Sequence, residues 1–236
     1  MRRFGFCFLL LTTLLTFACA SQTPADLQPT VTAKGSAGDE DVPDLTIRQV
    51  TLKAGETLLV SCNDEGGDAM VYWKDTPFHP DVGTRGSGFY TTIFSLYSAT
   101  GGTGDIVATH TSGGDLTINA YSVTRLAPSA LDKTSAAKGT GTTPSSGATA
   151  TTSRVNEFLW GAIGYASNGR ATGTWSDGFI AGTQFTNSGG IGGVDDGYKT
   201  VSSTGAYTAA KAGVDKDGWT ALIATYATTT GRDPIR

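Results

Sequence analysis

From Pro43 onward the apolar residues of this chain recur at every second position, and they keep that period almost to the C-terminus. The clearest runs are 45–52, 57–62, 69–73, 90–97, 105–109, 116–123, 157–165, 179–185 and 219–226. An extended strand sends successive side chains to opposite faces, so each run makes one apolar and one polar face. Turn-forming clusters separate the runs, among them Lys53-Ala54-Gly55-Glu56, Glu65-Gly66-Gly67-Asp68 and Ser112-Gly113-Gly114-Asp115. No segment carries a helical face. Short strands at this spacing, rich in threonine, valine, tyrosine and tryptophan, predict an all-β, antiparallel sandwich. Its core should hold Leu58, Val60, Cys62, Phe94, Leu96, Leu116, Ile118, Trp160, Ala221 and Ile223 between two sheets.

Two stretches interrupt the period. Residues 128–138 offer only Ala130, Leu131, Ala136 and Ala137 as apolar groups and read as a long crossing loop, which 139–147, made of Gly, Thr, Ser and Pro, continues as a mobile surface connection. Residues 21–43 carry prolines, small polar residues and an acidic cluster, too little apolar surface to offset ordering entropy, and read as a disordered tether. The organisation expected is therefore an export signal over 1–20, the tether over 21–43, one sandwich domain over 44–228 and a tail over 229–236.

The signal reading rests on Arg2 and Arg3 ahead of an apolar run from Phe4 to Phe17 that ends in Ala18-Cys19-Ala20. The run is short for a bilayer span and leads into small residues, as a cleaved segment does. Two cleavage chemistries fit. Ala18-Cys19-Ala20 suits ordinary signal peptidase and release of a soluble protein. Leu15, Thr16, Phe17, Ala18 and Cys19 suit a lipobox, with Cys19 as the lipidated first residue, and the polar tether that follows favours this second reading. Either way the protein is exported, secreted or anchored at the envelope, and touches membrane only through the lipid. Without Arg2 and Arg3 the chain has 15 basic residues against 21 acidic ones, scattered rather than clustered, so nucleic acid is not an expected partner.

The succession of strands also carries a resemblance. A strand ending at Ser61-Cys62, the Trp73 strand and its long loop, Phe94-Ser95-Leu96-Tyr97, a Gly-rich hairpin into Asp105-Ile106-Val107, Phe158-Leu159-Trp160-Gly161-Ala162 and the closing Trp219-Thr220-Ala221-Leu222-Ile223-Ala224 resemble Gly/Thr-rich jelly-roll modules of bacterial exported and phage tail-associated proteins. The likeness spans about residues 45–226. It implies fold more than function.

Catalytic chemistry finds little support. Ser87 and Ser167 complete no G-x-S-x-G elbow, and His79 and His110 belong to no zinc spacing. The three domain glutamates, Glu56, Glu65 and Glu157, do not pair on one strand face as a glycosidase needs. Cys62 shares a face with Leu58 and Val60 and reads as a buried thiol. The protein is therefore expected not to be an enzyme, with a polysaccharide hydrolase or lyase as the less favoured alternative, and to need no cofactor beyond a structural calcium. Asn63, Asp64 and Asp68 are the expected calcium ligands, because carboxylates on a flexible glycine turn are the hard oxygen donors this ion takes. Asp195-Asp196-Gly197 is a further acidic candidate. For ligand binding, Trp73 and Trp175 are candidate platforms on which sugar rings stack, with Tyr90, Asp75 and Arg85 beside Trp73 to select hydroxyls. The function expected is recognition of a glycan or another envelope component. A structural or adhesive module without a discrete pocket is the alternative, and it predicts both tryptophans buried or isolated.

Overall fold

The computed structural model describes residues 28–111, 113–167, 173–186, 191–215 and 217–229. The export signal, Cys19, the start of the 21–43 segment and nearly all of the tail lie outside the described residues. Every assigned pairing is antiparallel. In chain order the strands are β1 (Val31–Asp39), β2 (Asp44–Leu52), β3 (Thr57–Asp64), β4 (Met70–Trp73), β5 (Thr76–Pro77), β6 (His79–Arg85), β7 (Tyr90–Leu96) and β8 (Gly102–Thr109). They continue with β9 (Leu116–Val123), β10 (Leu126–Gly141), β11 (Glu157–Ser167), β12 (Thr174–Trp175), β13 (Ile180–Thr186), β14 (Ile191–Val201), β15 (Lys211–Ala212) and β16 (Asp217–Thr228).

The all-β antiparallel sandwich is what the period of two predicted, but it has three stacked sheets instead of two. A central sheet, ordered β1-β9-β3-β7-β6, lies between a small sheet ordered β2-β8-β4-β5 and a C-terminal sheet ordered β10-β16-β11-β14-β13. Strands β3 and β9 are therefore buried at every position, on both faces. One face of the central sheet sends Leu58, Val60, Cys62, Phe94, Leu116 and Ile118 against Ile47, Trp73 and Ile106 of the small sheet. The opposite face sends Leu59, Ile93 and Tyr121 against Trp160, Leu222 and Tyr226 of the C-terminal sheet. That second interface also holds buried polar side chains, Ser61, Asn63, Thr91, Thr117 and Asn119. Ala221 and Ile223 point to the outer side of the C-terminal sheet, where Trp175, Phe179, Ala209 and Val214 cover them. The ten residues expected in the core are buried, Leu96 only partly, but they are shared among three cores.

The expected crossing loop at 128–138 is instead the middle of β10, paired along β16 from Leu131↔Tyr226 to Gly141↔Asp217. Its half-buried positions are small, Ser135, Ala137 and Gly139, and the Trp219 indole lies across the last of them: a Cβ on Gly139 would stand 2.5 Å from Trp219 Cζ2. The alternation is present in space but carries no large apolar residue to announce it. The stretch 139–147 is likewise no loose connection. It leads into a ladder of 144–152 along 205–211, in which Ser146, Thr149 and Thr152 hydroxyl oxygens accept the backbone N–H groups of Ala209, Tyr207 and Gly205 at 3.0, 3.1 and 3.2 Å. Hydroxyl side chains act there as rungs.

The tether reading also fails for its second half, where β1 pairs with β9 from Val31↔Val123 to Asp39↔Leu116. Backbone bonds rather than apolar burial hold this strand. It bulges at Gly35, whose φ of 139° and missing Cβ, which would stand 2.7 Å from Ile47 Cγ2, let β1 close over the small sheet.

Candidate functional site

The small sheet ends in β5, only two residues long, while the central sheet continues on that side into the full-length β6. The mismatch leaves an open groove of about 560 Å³ at the flank of the sandwich. Met70, Tyr72 and Pro77 line one side, and Pro80, Gly83, Tyr90 and Thr92 line the other. Phe78, 6% exposed, plugs the end where the chain crosses from β5 to β6. The Tyr90 ring is held down against the sheet because residue 83 is glycine: a Cβ there would stand 2.6 Å from Tyr90 Cε1. Arg85 lies over the same ring with its guanidinium carbon 5.9 Å from the centroid, and its Nη2 donates to the Gly66 carbonyl at 3.1 Å. Across the groove the Tyr72 hydroxyl reaches Met70 Sδ at 3.5 Å.

Asp81 is the one carboxylate among the described lining residues, and it is fully engaged. Tyr226 OH, Ser95 Oγ and His79 Nδ1 stand 2.7, 2.9 and 3.0 Å from its oxygens. Burial nevertheless raises its pKa above the ordinary value.

The structure therefore brings two of the expected binding residues together, Arg85 and Tyr90, and moves three away. Trp73 is 2% exposed and sealed between the small and central sheets, since it shares its strand face with Val71. It cannot serve as a stacking platform. Asp75 is exposed in the β4–β5 turn and is not among the groove residues. Trp175 is also buried, on the far side of the C-terminal sheet, stacked on Phe179 with centroids 5.6 Å apart. Gly161 and Gly197 make the bed for its indole, as a Cβ on Gly197 would stand 2.6 Å from the ring. Sequence reading missed Tyr72, whose place on the outward face of β4 becomes informative only once β5 is seen to stop short.

The acidic loop after β3 forms a different arrangement from a calcium turn. Asn63 points away from it, donating to the Tyr165 carbonyl and accepting from Thr91 Oγ1. Asp64, Asp68 and His110 do converge, with ligand atoms within 4.8 Å of one another. Yet Asp64 is already saturated. Its carboxylate accepts the backbone N–H of Gly66, Gly67 and Ala69 at 2.9, 2.6 and 3.0 Å and faces His110 Nδ1 at 2.9 Å. His110 Nε2 meets the Val42 carbonyl. Both ring nitrogens thus face acceptors, the arrangement of an imidazolium. Burial alone would lower the His110 pKa, but the Val42 carbonyl and Asp64 outweigh it and hold it above the ordinary value. Asp68 accepts from the Thr111 backbone N–H and hydroxyl.

Asp195 and Asp196 lie within β14 and not in a turn, so their side chains leave the sheet on opposite faces. Asp195 pairs with Lys211 Nζ at 2.6 Å, both buried on the outer side under Trp175. Asp196 faces the central sheet, where Asn119 Nδ2 donates to it at 2.8 Å. Burial pushes its pKa up to about 8, against the bonds from Ser61 and Asn119. Comparison of the chain with known protein families, curated proteins and solved structures returns no match.

Proposed function

We propose that the protein is an exported binding module that takes up an uncharged saccharide in the groove between Tyr72 and Tyr90. The observation that carries this reading is the groove itself: a flank left open by the two-residue β5, with one tyrosine on each side and the Tyr90 ring pressed against Gly83. Ring faces attract the apolar faces of sugars, and Arg85, Thr92 and the tyrosine hydroxyls offer polar partners for their hydroxyls. The sole carboxylate among the described lining residues is tied up by three partners, which favours binding over hydrolysis. The apolar N-terminal run and the likeness to jelly-roll modules of exported and phage tail-associated proteins support a role outside the cytoplasm.

Burial of both Trp73 and Trp175 favours the second reading, a structural or adhesive envelope module without a discrete ligand. A glycan array probed with the native protein and with Tyr90→Ala and Tyr72→Ala separates the two. The saccharide reading expects at least one glycan to bind and each truncation to weaken it by about 1–3 kcal/mol without loss of fold. No bound glycan, or equal affinity in both folded variants, leaves the structural reading.

A further inference from the structure

Three chain segments meet at the end of the sandwich beside the groove, and each brings acid. The β1–β2 connection carries Glu40 and Asp41, the loop after β3 carries Glu65, and the β8–β9 loop ends in Asp115. Backbone bonds pin them together: Glu65 N–H donates to the Asp115 carbonyl at 3.1 Å and Val42 N–H to the Gly114 carbonyl at 3.2 Å. The loop after β3 and the β8–β9 loop border a cavity of about 40 Å³, whose lining includes Asp64, Glu65, Phe89, Asp115, Thr117 and Gly192. That is room for a single ion or water.

Asp115 is 7% exposed, and its Oδ2 is shielded with no hydrogen-bond partner. Burial raises its pKa, the negative charges of Glu65, Glu40 and Asp41 add to that, and a bond from the Asp41 backbone N–H offsets them only in part. His110, the nearby cation, is committed to Asp64 and Val42. Glu65 leans in over Gly114, its Oε2 within 3.4 Å of the Asp115 backbone nitrogen. A buried carboxylate oxygen without a donor, beside further carboxylates, is a position that a cation satisfies.

We infer that this cavity is a calcium site in which Asp115 and Glu65 supply the carboxylates, Glu40 and Asp41 add negative charge next to Asp115, and water completes the shell. Calcium suits it better than magnesium or zinc. The donors are all oxygens, the two carboxylates come from different loops, and no rigid octahedral or tetrahedral set is present. The site is distinct from the Asp64, Asp68 and His110 cluster, whose Asp64 has no acceptor capacity left.

The test is calorimetric titration of CaCl2 into chelator-treated full-length protein, with thermal unfolding in the same buffers. The native protein should bind with Kd in the range of about 10⁻⁴–10⁻³ M typical of extracellular modules, and its unfolding midpoint should rise with calcium. Asp115→Asn and Glu65→Gln should each weaken binding at least tenfold, whereas Asp68→Asn should leave it unchanged. In chelator, Asp115→Asn should melt above the native protein, because the uncompensated charge is gone. If Asp115→Asn does not fold, Glu65→Gln, an exposed position, decides the matter alone. Absence of calcium binding by the native protein, undiminished binding in Glu65→Gln, or loss of binding in Asp68→Asn would each overturn the site.

Discussion

Lys211 shows how much a single side chain can bind this fold together. Its ammonium group lies 2.6 Å from Asp195 with both residues buried, and the aspartate also faces the Tyr165 hydroxyl at 3.3 Å. Removing one member strands the other charge away from water, so Lys211→Met should cost about 3–5 kcal/mol, while Lys211→Met combined with Asp195→Leu should recover most of that loss. Urea unfolding of the two variants checks both expectations. At this scale the sequence is legible where one residue type dominates a face and silent where a second layer decides. Leu58, Val60 and Ile118 are buried because they belong to an apolar alternation. Trp73 belongs to one too, yet an alternation does not say whether a tryptophan at its end lies under a sheet or stands clear of it. The adjacent Asp195 and Asp196 read as a further acidic calcium candidate because the partners that let them be buried, Lys211 and Asn119, are distant in the chain.

Two of the strands that sequence reading missed, β1 and β10, share a cause: at a key position each has glycine, because a large residue from elsewhere occupies the space. In β10 that residue is Trp219, and Gly139→Val should force the indole aside, at about 1–3 kcal/mol for an overpacked site. Thr140→Val, on the outward face of the same strand, should change the unfolding midpoint little, which makes a thermal comparison of the pair a direct check of register. The β1 strand was hidden in the same way, its Gly35 yielding to Ile47. Elements with bulky alternation, β3, β7, β9, β11 and β16, are legible at nearly their full length. The groove was only half legible. Arg85 and Tyr90 lie close enough in sequence to be linked by a hairpin, but the open flank exists because β5 stops after two residues, and nothing in Thr76-Pro77 announces where its neighbours end.

For the molecule as a whole, both faces of the C-terminal sheet bury titratable groups, Asp196 on one and Glu157 on the other, and this sets a pH dependence. Burial raises Asp196 to about 8, and burial with the neighbouring Asp132 raises Glu157 to about 7. A group whose pKa is higher in the folded protein stabilises it fully below the unfolded value and ceases to do so as pH rises through the folded value. His110 acts in the same sense. Asp132 acts in the opposite one: burial works against its charge, but bonds from Lys133 and Ser153 prevail and lower its pKa, so its contribution is lost in acid. Thermal midpoints should therefore be highest near pH 5 and fall towards pH 8, and Asp196→Asn should flatten that decline. The three-layer stack has another consequence, which concerns order in time. A ribosome delivers the N-terminal half first. The small and central sheets can then close on one another while Leu59, Ile93 and Tyr121, on the other face, wait for β16, the last strand to emerge. Ser61, Asn63, Thr91, Thr117 and Asn119 are interspersed on that waiting face. Their hydroxyls and amides keep it wettable, so the nascent half-protein shows its surroundings a mixed surface and not a sticky one until its cover arrives.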